Sequence, residues 1–317
     1  FVTGEDDLVL DHYVSVEFAG IIINTGDCEN TFEYIGIFTE DGTDVSANYE
    51  ETLVFGTLEV TKRPITITSG SATKMYDGAE LVETSYTSSD LGLVEGQNAI
   101  LEYTGTIINV GTCENTFEFI RIEDVDGNDV TYNYETPVLV YGTLEVTKRP
   151  ITITSLDATK VYDGYELIKH EFVTGEDDLV LDHFVRVEFT GTITDVGIIE
   201  NEFDFINICD EAGYDVSFNY ETPVLVYGTL EVTIRPITIR SNDAEKVYDG
   251  KPLMEKTCIT KDFELAKDDV LFLEYTGSIT EVGICDNTFE FIRIEDENGE
   301  DVSYCYEVTK EYGTLKV

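Results

Sequence analysis

A fixed internal repeat constrains this chain more than any other feature of its sequence. The string KRPITIT begins at Lys62 and Lys148, and its variant IRPITIR begins at Ile234, so that it recurs every 86 residues. The tripeptide YDG keeps the same step and ends at Gly78 and Gly164, and again at Gly250. Recurrence at a fixed period is the signature of tandem modules that share one fold. The chain is therefore predicted to be an array of similar units.

The repeat also predicts where the units begin and end. The opening residues FVTGEDDLVLDH recur unchanged at Phe172 to His183, which places Phe1 inside a repeat. We therefore expect a fragment of a longer protein, with one partial copy followed by three complete copies. The predicted units are residues 1–60, 61–146, 147–232 and 233–317.

Apolar and polar residues alternate within each unit, a pattern typical of half-buried β-strands. Ile65 and Ile67, for example, alternate with threonines. The segment Phe117 to Glu123 breaks the alternation, which predicts either a β-bulge or a strand covered on both faces. Helix is expected in at most one short segment per unit, and the best candidates are Ser88 to Gly96 and Lys261 to Asp269.

The junctions between units contain no flexible linker. The last strand of each unit, GTLEVT in most copies, is followed almost directly by RPITI, with Pro64, Pro150 and Pro236 at equivalent positions. Proline fixes φ and biases the preceding arginine towards an extended conformation. The sequence thus predicts a mostly β protein whose modules form an elongated rod and not beads on a flexible string.

The charge of the chain excludes some classes of partner. There are 65 acidic residues against 19 lysines and arginines, a net charge of −46, and residues 1–60 contain 14 acids and no Lys or Arg. Such a surface repels nucleic acid and anionic membranes. No stretch approaches the roughly 20 apolar residues that span a bilayer. We therefore expect no nucleic-acid partner and no membrane insertion within this sequence.

Several motifs taken together resemble the MBG-type, YDG-containing repeat of large bacterial cell-surface adhesins. The motifs are RPITIT, TKxYDGxxL, TGTIxxVG, a GND-like turn followed by DV and NY, and YGTLxVT. The matching residues in the second unit are Lys74, Tyr76, Asp77, Gly78, Gly111, Asp129, Val130, Asn133, Tyr134, Gly142 and Thr143. The resemblance implies β-grasp-like modules on secreted or cell-wall-attached proteins, without catalytic residues. Ig-like β-sandwich modules are the alternative fold.

A non-catalytic, monomeric, extracellular stalk is the function that these features favour. The sequence contains no GxSxG, HExxH or phosphate-binding glycine loop. His12 and His183 share one repeat position, which Asn98 is expected to occupy in the second unit, and they are predicted to be surface residues. The alternative is an adhesive module that binds host glycan or extracellular protein directly, because the 19 tyrosines and 17 phenylalanines offer faces for sugar rings.

An acidic turn in the second unit is the candidate cation site. Asp124, Asp126, Asn128 and Asp129 offer several oxygens within one tight loop, and hard cations such as Ca²⁺ bind several oxygens. The bidentate glutamate of an EF-hand is missing from this loop. The alternative is a solvated hairpin turn that uses Asp, Asn and Gly for their backbone preferences. No cofactor other than calcium is expected.

The sequence is compatible with two kinds of covalent crosslink, a disulfide and an isopeptide bond. The fourth unit holds three of the six cysteines, Cys258, Cys285 and Cys305, so a disulfide there is an alternative to free thiols. Lys74 recurs in the third and fourth units and Asn115 recurs in all of the other units, as the partners of a Lys–Asn isopeptide bond would. The alternative for this pair is a solvated strand lysine and a turn asparagine.

Overall fold

The computed structural model describes residues 1–4, 7–89 and 91–317, and its fold is mostly β. The four sequence segments 1–60, 61–146, 147–232 and 233–317 are called repeats 1 to 4 below. Helical structure in the described residues is limited to four 3₁₀ turns, each following an Asp-Val pair: Ser46–Asn48, Thr131–Asn133, Ser217–Asn219 and Ser303–Cys305.

Repeat 1 contains four strands, β1 (His12–Phe18), β2 (Gly26–Asn30), β3 (Phe32–Thr39) and β4 (Gly56–Val60). Repeat 2 contains eight, β5 (Thr66–Ser69), β6 (Ala72–Met75), β7 (Tyr86–Ser89), β8 (Asn98–Tyr103), β9 (Gly111–Asn115), β10 (Phe117–Glu123), β11 (Val138–Val140) and β12 (Gly142–Thr147).

Repeats 3 and 4 have the same succession of strands as repeat 2. Those of repeat 3 are β13 (Thr152–Ser155), β14 (Ala158–Val161), β15 (Phe172–Thr174), β16 (Phe184–Phe189), β17 (Gly197–Glu200), β18 (Phe203–Cys209), β19 (Val224–Val226) and β20 (Thr229–Thr233). Those of repeat 4 are β21 (Arg235–Ser241), β22 (Ala244–Glu245), β23 (Cys258–Lys261), β24 (Val270–Tyr275), β25 (Ile284–Asn287), β26 (Phe289–Glu295), β27 (Tyr306–Glu311) and β28 (Gly313–Lys316).

Each complete repeat contains the same two three-stranded sheets and one hairpin. In repeat 3 the sheets have the orders β15-β13-β19 and β14-β20-β17, and β16 pairs with β18. Repeats 2 and 4 reproduce these orders with their equivalent strands. Among the described residues of repeat 1, β1 pairs with β3 and β2 pairs with β4.

The RPITI segment supplies the central strand of the first sheet. In β13, Ile153 pairs with Thr174 of β15 on one side and with Leu225 of β19 on the other, in antiparallel and parallel ladders. Ile151 and Ile153 are buried, whereas Thr152 and Thr154 are partly exposed. Period-two alternation therefore places one isoleucine row in the core, as the sequence predicted.

A buried serine and asparagine tie the two sheets of each complete repeat together. In repeat 3 the Ser155 hydroxyl donates to the carbonyl oxygen of Asn201 at 2.7 Å. The Asn201 amide in turn donates to the carbonyl oxygens of Leu156 and Lys169, both at 2.9 Å. Repeats 2 and 4 contain the same bonds around Asn115 and Asn287. These bonds connect segments of each repeat that are far apart in its sequence.

Two predictions about local structure have different outcomes. The bulge is confirmed, since the pairing of β10 with β8 shifts register between Phe119 and Arg121. The helix prediction is wrong: Lys261 ends β23, and positive φ angles at Asp262 and Lys267 produce turns instead. Ser88–Gly96 contains Asp90, which lies outside the described residues, and the rest of that segment is strand and turn.

The chain divides into two compact units. One comprises Phe1–Lys74 with Ala79–Thr147, and the other comprises Met75–Gly78 with Lys148–Val317. The second unit thus includes a short loop that belongs to repeat 2 in sequence. The division into four modules, the β-grasp arrangement and the rod stay predictions. No helix in the described part of the chain has the length and apolar character required to cross a membrane.

Candidate functional site

The second compact unit contains one tyrosine contact twice. Tyr76 of the first YDG loop is only 4% exposed, and its ring lies edge-on to that of Tyr220, with 5.8 Å between centroids. Tyr162 of the next YDG loop is 2% exposed and packs against Tyr306 in the same way, at 5.6 Å. In both cases a YDG tyrosine inserts into the following repeat. We call these the first and second junctions.

The glycine of the YDG loop permits this insertion. Gly78 and Gly164 have φ angles of 78° and 77°, in the left-handed region that favours glycine. The turn that they form directs the chain back after the tyrosine. YDG is therefore a turn motif whose tyrosine is used for packing.

An arginine from the RPITI segment holds each loop in place. Arg149 Nη1 donates to the carbonyl oxygen of Tyr76 at 3.1 Å, and Arg235 Nη1 donates to that of Tyr162 at 2.9 Å. The Nε atoms of the same arginines donate to the carbonyl oxygens of Asp177 and Glu264, at 2.9 and 2.8 Å. Each planar guanidinium therefore bridges two loops through several fixed donors.

A tyrosine hydroxyl at the base of each junction has two partners. In the first junction, Tyr220 Oη accepts from the Val180 amide at 3.1 Å and lies 2.7 Å from His183 Nδ1. In the second, Tyr306 Oη accepts from the Ala266 amide at 2.8 Å and donates to Asp269 Oδ2 at 2.5 Å.

Repeats 1 and 2 contain the same tyrosine arrangement in the first unit. Tyr49 Oη lies 2.6 Å from His12 Nδ1, and Tyr134 Oη donates to Gln97 Oε1 at 2.5 Å. The residue equivalent to His12 is thus Gln97, and the assignment to Asn98 was wrong by one position. His12 and His183 are partly exposed, and each lies against a tyrosine hydroxyl, a contact that the sequence did not predict.

Burial shifts the titration of the junction groups. Desolvation lowers the pKa of His183 and raises the pKa of Asp269, because both groups are less easily charged away from water. The hydrogen bond from Tyr306 acts against the rise at Asp269. Burial likewise raises the pKa of Tyr76, Tyr162 and Tyr220. All of these shifts favour neutral side chains inside the junctions.

The last YDG loop differs from the other two. Tyr248 is 52% exposed and Val247 is 89% exposed. The loop itself is built as in repeat 3, since Lys246 Nζ donates to Asp249 at 2.7 Å and to the Lys251 carbonyl oxygen at 2.6 Å. The same loop structure thus occurs with its tyrosine buried in repeat 3 and exposed in repeat 4, so the loop alone does not bury the ring.

The candidate calcium residues lie together in the hairpin loop after β10. Asp124 Oδ1 accepts from the backbone amides of Asp126 and Asn128, at 3.0 and 2.9 Å, and its carboxylate also accepts from the Asn128 side chain. Asp129 Oδ1 accepts from the Thr131 amide at 2.9 Å. Hydrogen bonds from the Asn128 and Thr131 side chains lower the pKa of Asp124 and Asp129 respectively.

These hydrogen bonds are the ones expected of Asx turns, in which a side-chain oxygen organises the loop. Among the described residues, no group of three or more His, Cys, Asp or Glu side chains is arranged to hold a metal ion. The calcium site stays a prediction, and Asn128 belongs to the loop through its bonds to Asp124.

The candidate crosslinking residues have separate partners. Lys160 Nζ donates to Asp163 at 2.6 Å, whereas the Asn201 amide donates to the two backbone carbonyl groups described above. Cys258, Cys285 and Cys305 are free thiols in this structure, as are the other three cysteines. These contacts favour an ion-paired lysine and free thiols over covalent crosslinks.

Comparison with known proteins adds no relative. No family model, no curated protein and no solved structure matches the chain. The resemblance to adhesin repeats therefore depends on the quoted motifs alone.

Proposed function

We propose that this chain is a run of non-catalytic spacer repeats from a bacterial surface adhesin. Its role would be to supply length and stiffness between a cell-surface anchor and a binding domain elsewhere in the protein. The proposal gives the chain an extracellular location and no enzymatic activity. It also includes the elongated, rod-like arrangement of β-grasp-like modules.

The junction contacts are the observation that carries the proposal. The YDG motif is among the most regular features of the repeat, and in both junctions its tyrosine is buried against the following repeat. Residues that recur for packing between neighbours are typical of solenoid and stalk arrays. A buried aromatic ring, a bridging arginine and a proline-stiffened connection all favour a fixed angle between neighbours.

Small-angle X-ray scattering tests the extended arrangement. A compact globule of this length would have a radius of gyration of roughly 20 Å. We expect a clearly larger radius and a rod-like cross-section. The double variant Tyr76→Ala, Tyr162→Ala should broaden the distance distribution, because both junctions lose their buried ring. A radius near that of the globule for the parent chain would contradict the proposal.

Direct adhesion is a second candidate function, which a separate observation favours. The bulge in each repeat directs an isoleucine towards solvent: Ile35, Ile120, Ile206 and Ile292 are 46 to 55% exposed. Regularly spaced apolar side chains offer repeated contacts to an extended ligand. A cell-adhesion assay or glycan array with the parent chain and with Ile120→Ser, Ile206→Ser distinguishes the two functions, since a spacer gives no signal with either protein.

A further inference from the structure

The first and last strands of repeat 3 run side by side in the same direction. Strand β13 pairs in parallel with β19, and β14 pairs in parallel with β20. The ladder begins at the pair Thr152–Val224 and ends at the pair Val161–Thr233, with the same separation in sequence at both ends. The segments 152–161 and 224–233 are therefore neighbours in one constant register. We call these two segments the parallel clamp.

Side-chain hydrogen bonds continue the parallel clamp where it passes from the first sheet to the second. The Gly228 amide donates to Ser155 Oγ at 2.9 Å. The Thr229 amide donates to Asp157 Oδ1 at 2.6 Å. Each of these bonds joins one segment of the clamp to the other, so the gap between the two ladders is also bridged.

The two ends of the clamp are hydrogen-bonded as well. Where the chain enters repeat 3, the Val224 amide donates to the carbonyl oxygen of Ile151 at 3.0 Å. Where the chain leaves, the Tyr162 amide donates to the carbonyl oxygen of Thr233 at 2.9 Å. Because Tyr162 packs against Tyr306, the last bond of the clamp lies directly beside the second junction.

The other complete repeats have the same parallel pairing. In repeat 4, β21 pairs in parallel with β27 from Arg235 to Arg240, and β22 pairs in parallel with β28. In repeat 2, β5 pairs in parallel with β11, and the Val138 amide donates to the carbonyl oxygen of Ile65 at 3.1 Å. Parallel pairing between the beginning and the end of the repeat is thus common to repeats 2, 3 and 4.

The direction of these strands decides how a repeat responds to tension. The chain enters repeat 3 at the start of β13 and leaves it at the end of β20, which are opposite ends of the clamp. Tension along the chain therefore pulls the two segments past each other, parallel to their axes. In this shear geometry the evenly spaced ladder bonds are strained together, whereas strands pulled apart from one end lose their bonds one at a time.

We propose that each complete repeat is a module that resists tension, because its parallel clamp must be sheared before the repeat can unfold. The biological role of this resistance rests on the proposed spacer function, since a spacer transmits any pull on the binding domain. The hairpin of β16 and β18 lies outside the clamp and is not sheared with it. Resistance should therefore depend on the direction of pulling and on the bonds of the clamp, and not on equilibrium stability alone.

Single-molecule force spectroscopy of the full 317-residue chain, with handles at its two ends, measures this resistance. Each complete repeat should give one unfolding event. Its gain in contour length should be at most about 310 Å, the extended length of an 86-residue repeat. Unfolding without discrete events would overturn the proposal.

A change of pulling direction tests the clamp without removing any of its bonds. Handles attached through azide-bearing residues in place of Lys148 and Thr222, two exposed positions, pull on the neighbouring ends of β13 and β19. This geometry opens the clamp from one end. We expect repeat 3 to unfold at a clearly lower force than with terminal handles at the same loading rate. Equal forces in the two directions would overturn the proposal.

Proline variants identify the bonds that resist the pull. The double variant Val138→Pro, Val224→Pro removes one amide donor from the clamp of repeat 2 and one from that of repeat 3. At constant force these repeats should unfold about fivefold faster, the effect of one hydrogen bond that breaks before the transition state. Repeat 4 is unchanged in this variant and is the internal reference.

The matched control removes amide donors from the hairpins of the same two repeats. Thr104→Pro, Thr190→Pro deletes the amides that donate to the carbonyl oxygens of Thr116 and Glu202, at 2.9 and 3.0 Å. Its unfolding rate at constant force should stay within about twofold of the parent, since the hairpins are still intact when the clamp shears. Equal acceleration by both double variants would overturn the proposal. If a proline variant does not fold, the comparison of pulling directions decides by itself.

Failure of the clamp and failure of the spacer function are distinguishable. A chain that is compact by X-ray scattering but resists tension in a direction-dependent way would uphold the clamp and contradict the spacer function. An extended chain whose repeats unfold at equal force in both directions would overturn the clamp alone.

Discussion

The two junctions of the second unit have the same geometry but differ at one polar residue. The first places His183 against the hydroxyl of Tyr220, and the second places Asp269 against that of Tyr306. Burial lowers the pKa of the histidine and raises that of the aspartate. The comparison teaches that the residue at the position of His183 and Asp269 must hydrogen-bond to the junction tyrosine but need not carry a particular charge. Gln97, at the same position in repeat 2, is neutral and hydrogen-bonds in the same way.

The difference predicts opposite responses to acid. A buried neutral histidine loses its contribution to stability when it must be protonated, whereas a buried carboxyl group gains when it is protonated. Neighbouring junctions in one chain would then respond in opposite directions as the pH falls. The experiments below test first what the junctions share and then how they differ.

Removal of the shared tyrosine should have the largest effect. Tyr162→Ala deletes a buried aromatic ring, and we expect a loss of about 3 to 5 kcal/mol in the free energy of unfolding of the second unit. Tyr76→Ala should cost a similar amount, since its ring is buried to nearly the same extent. Chemical denaturation followed by circular dichroism measures both.

Tyr248→Ala is the matched control for this pair. It changes the same repeat position, but the side chain is 52% exposed, so the expected change is within about 0.5 kcal/mol. An equal loss for Tyr162→Ala and Tyr248→Ala would show that the tyrosine stabilises its own loop. In that case the contact with the following repeat would have no energetic importance.

The sequence predicted the strands and the bulge better than it predicted the contacts at the junctions. Alternation located the RPITI strands, because Ile151 and Ile153 have period two, and the broken pattern of residues 117–123 located the bulge. The helices at Ser88 and Lys261 were wrong because a capping serine or a short apolar face is a weak local signal. Left-handed residues such as Asp262, which end helical runs, are not visible in composition.

The junctions could not be read from neighbouring residues, because Tyr76 and Tyr220 are far apart in sequence. One signal was nevertheless present. In every repeat a polar residue precedes the junction tyrosine by the same interval, as in His12 with Tyr49 and Asp269 with Tyr306. Aligning the copies by this pair would have identified Gln97 and predicted a hydrogen bond in place of a surface histidine. That a YDG tyrosine packs against this pair could be found only from the fold.

Asp269→Asn is expected to have a moderate effect that depends on pH. Because the folded-state pKa of Asp269 is raised above its ordinary value of 3.8, its stabilising contribution is complete below that value and is lost as the pH rises through the folded-state pKa. Acidification from neutral pH should therefore stabilise the second junction in the parent chain. Asparagine keeps the oxygen acceptor for Tyr306 without titrating, so this gain should disappear.

Exchange of the Ala266 amide, which donates to Tyr306 Oη, reports on the second junction locally. After correction for the intrinsic rate of hydrogen exchange, the protection of the Ala266 amide should increase towards acidic pH in the parent. In Asp269→Asn it should not change with pH. At neutral pH the two proteins should differ by less than about 1 kcal/mol, since one hydrogen bond replaces another. If the protection of the Ala266 amide changed with pH in the same way in both proteins, Asp269 would not be the cause of the acid response of the second junction.

His183→Gln should have the smallest effect at neutral pH and an opposite effect in acid. Because burial lowers the pKa of His183 below its ordinary value of 6.5, its contribution is complete above pH 6.5 and is lost as the pH falls through the folded-state pKa. The first junction of the parent chain should therefore weaken in mild acid, which the exchange rate of the Val180 amide measures through its bond to Tyr220. Glutamine copies the Gln97–Tyr134 pair, so the variant should match the parent near neutral pH and retain its protection in acid. Burial lowers the pKa of His183 by more than Asp210 and Asp182 raise it, so the acid response of the parent develops below pH 6.5. Identical acid profiles for Val180 in the parent and the variant would show that the histidine stays neutral or exposed throughout, and the contrast between the two junctions would then depend on Asp269 alone.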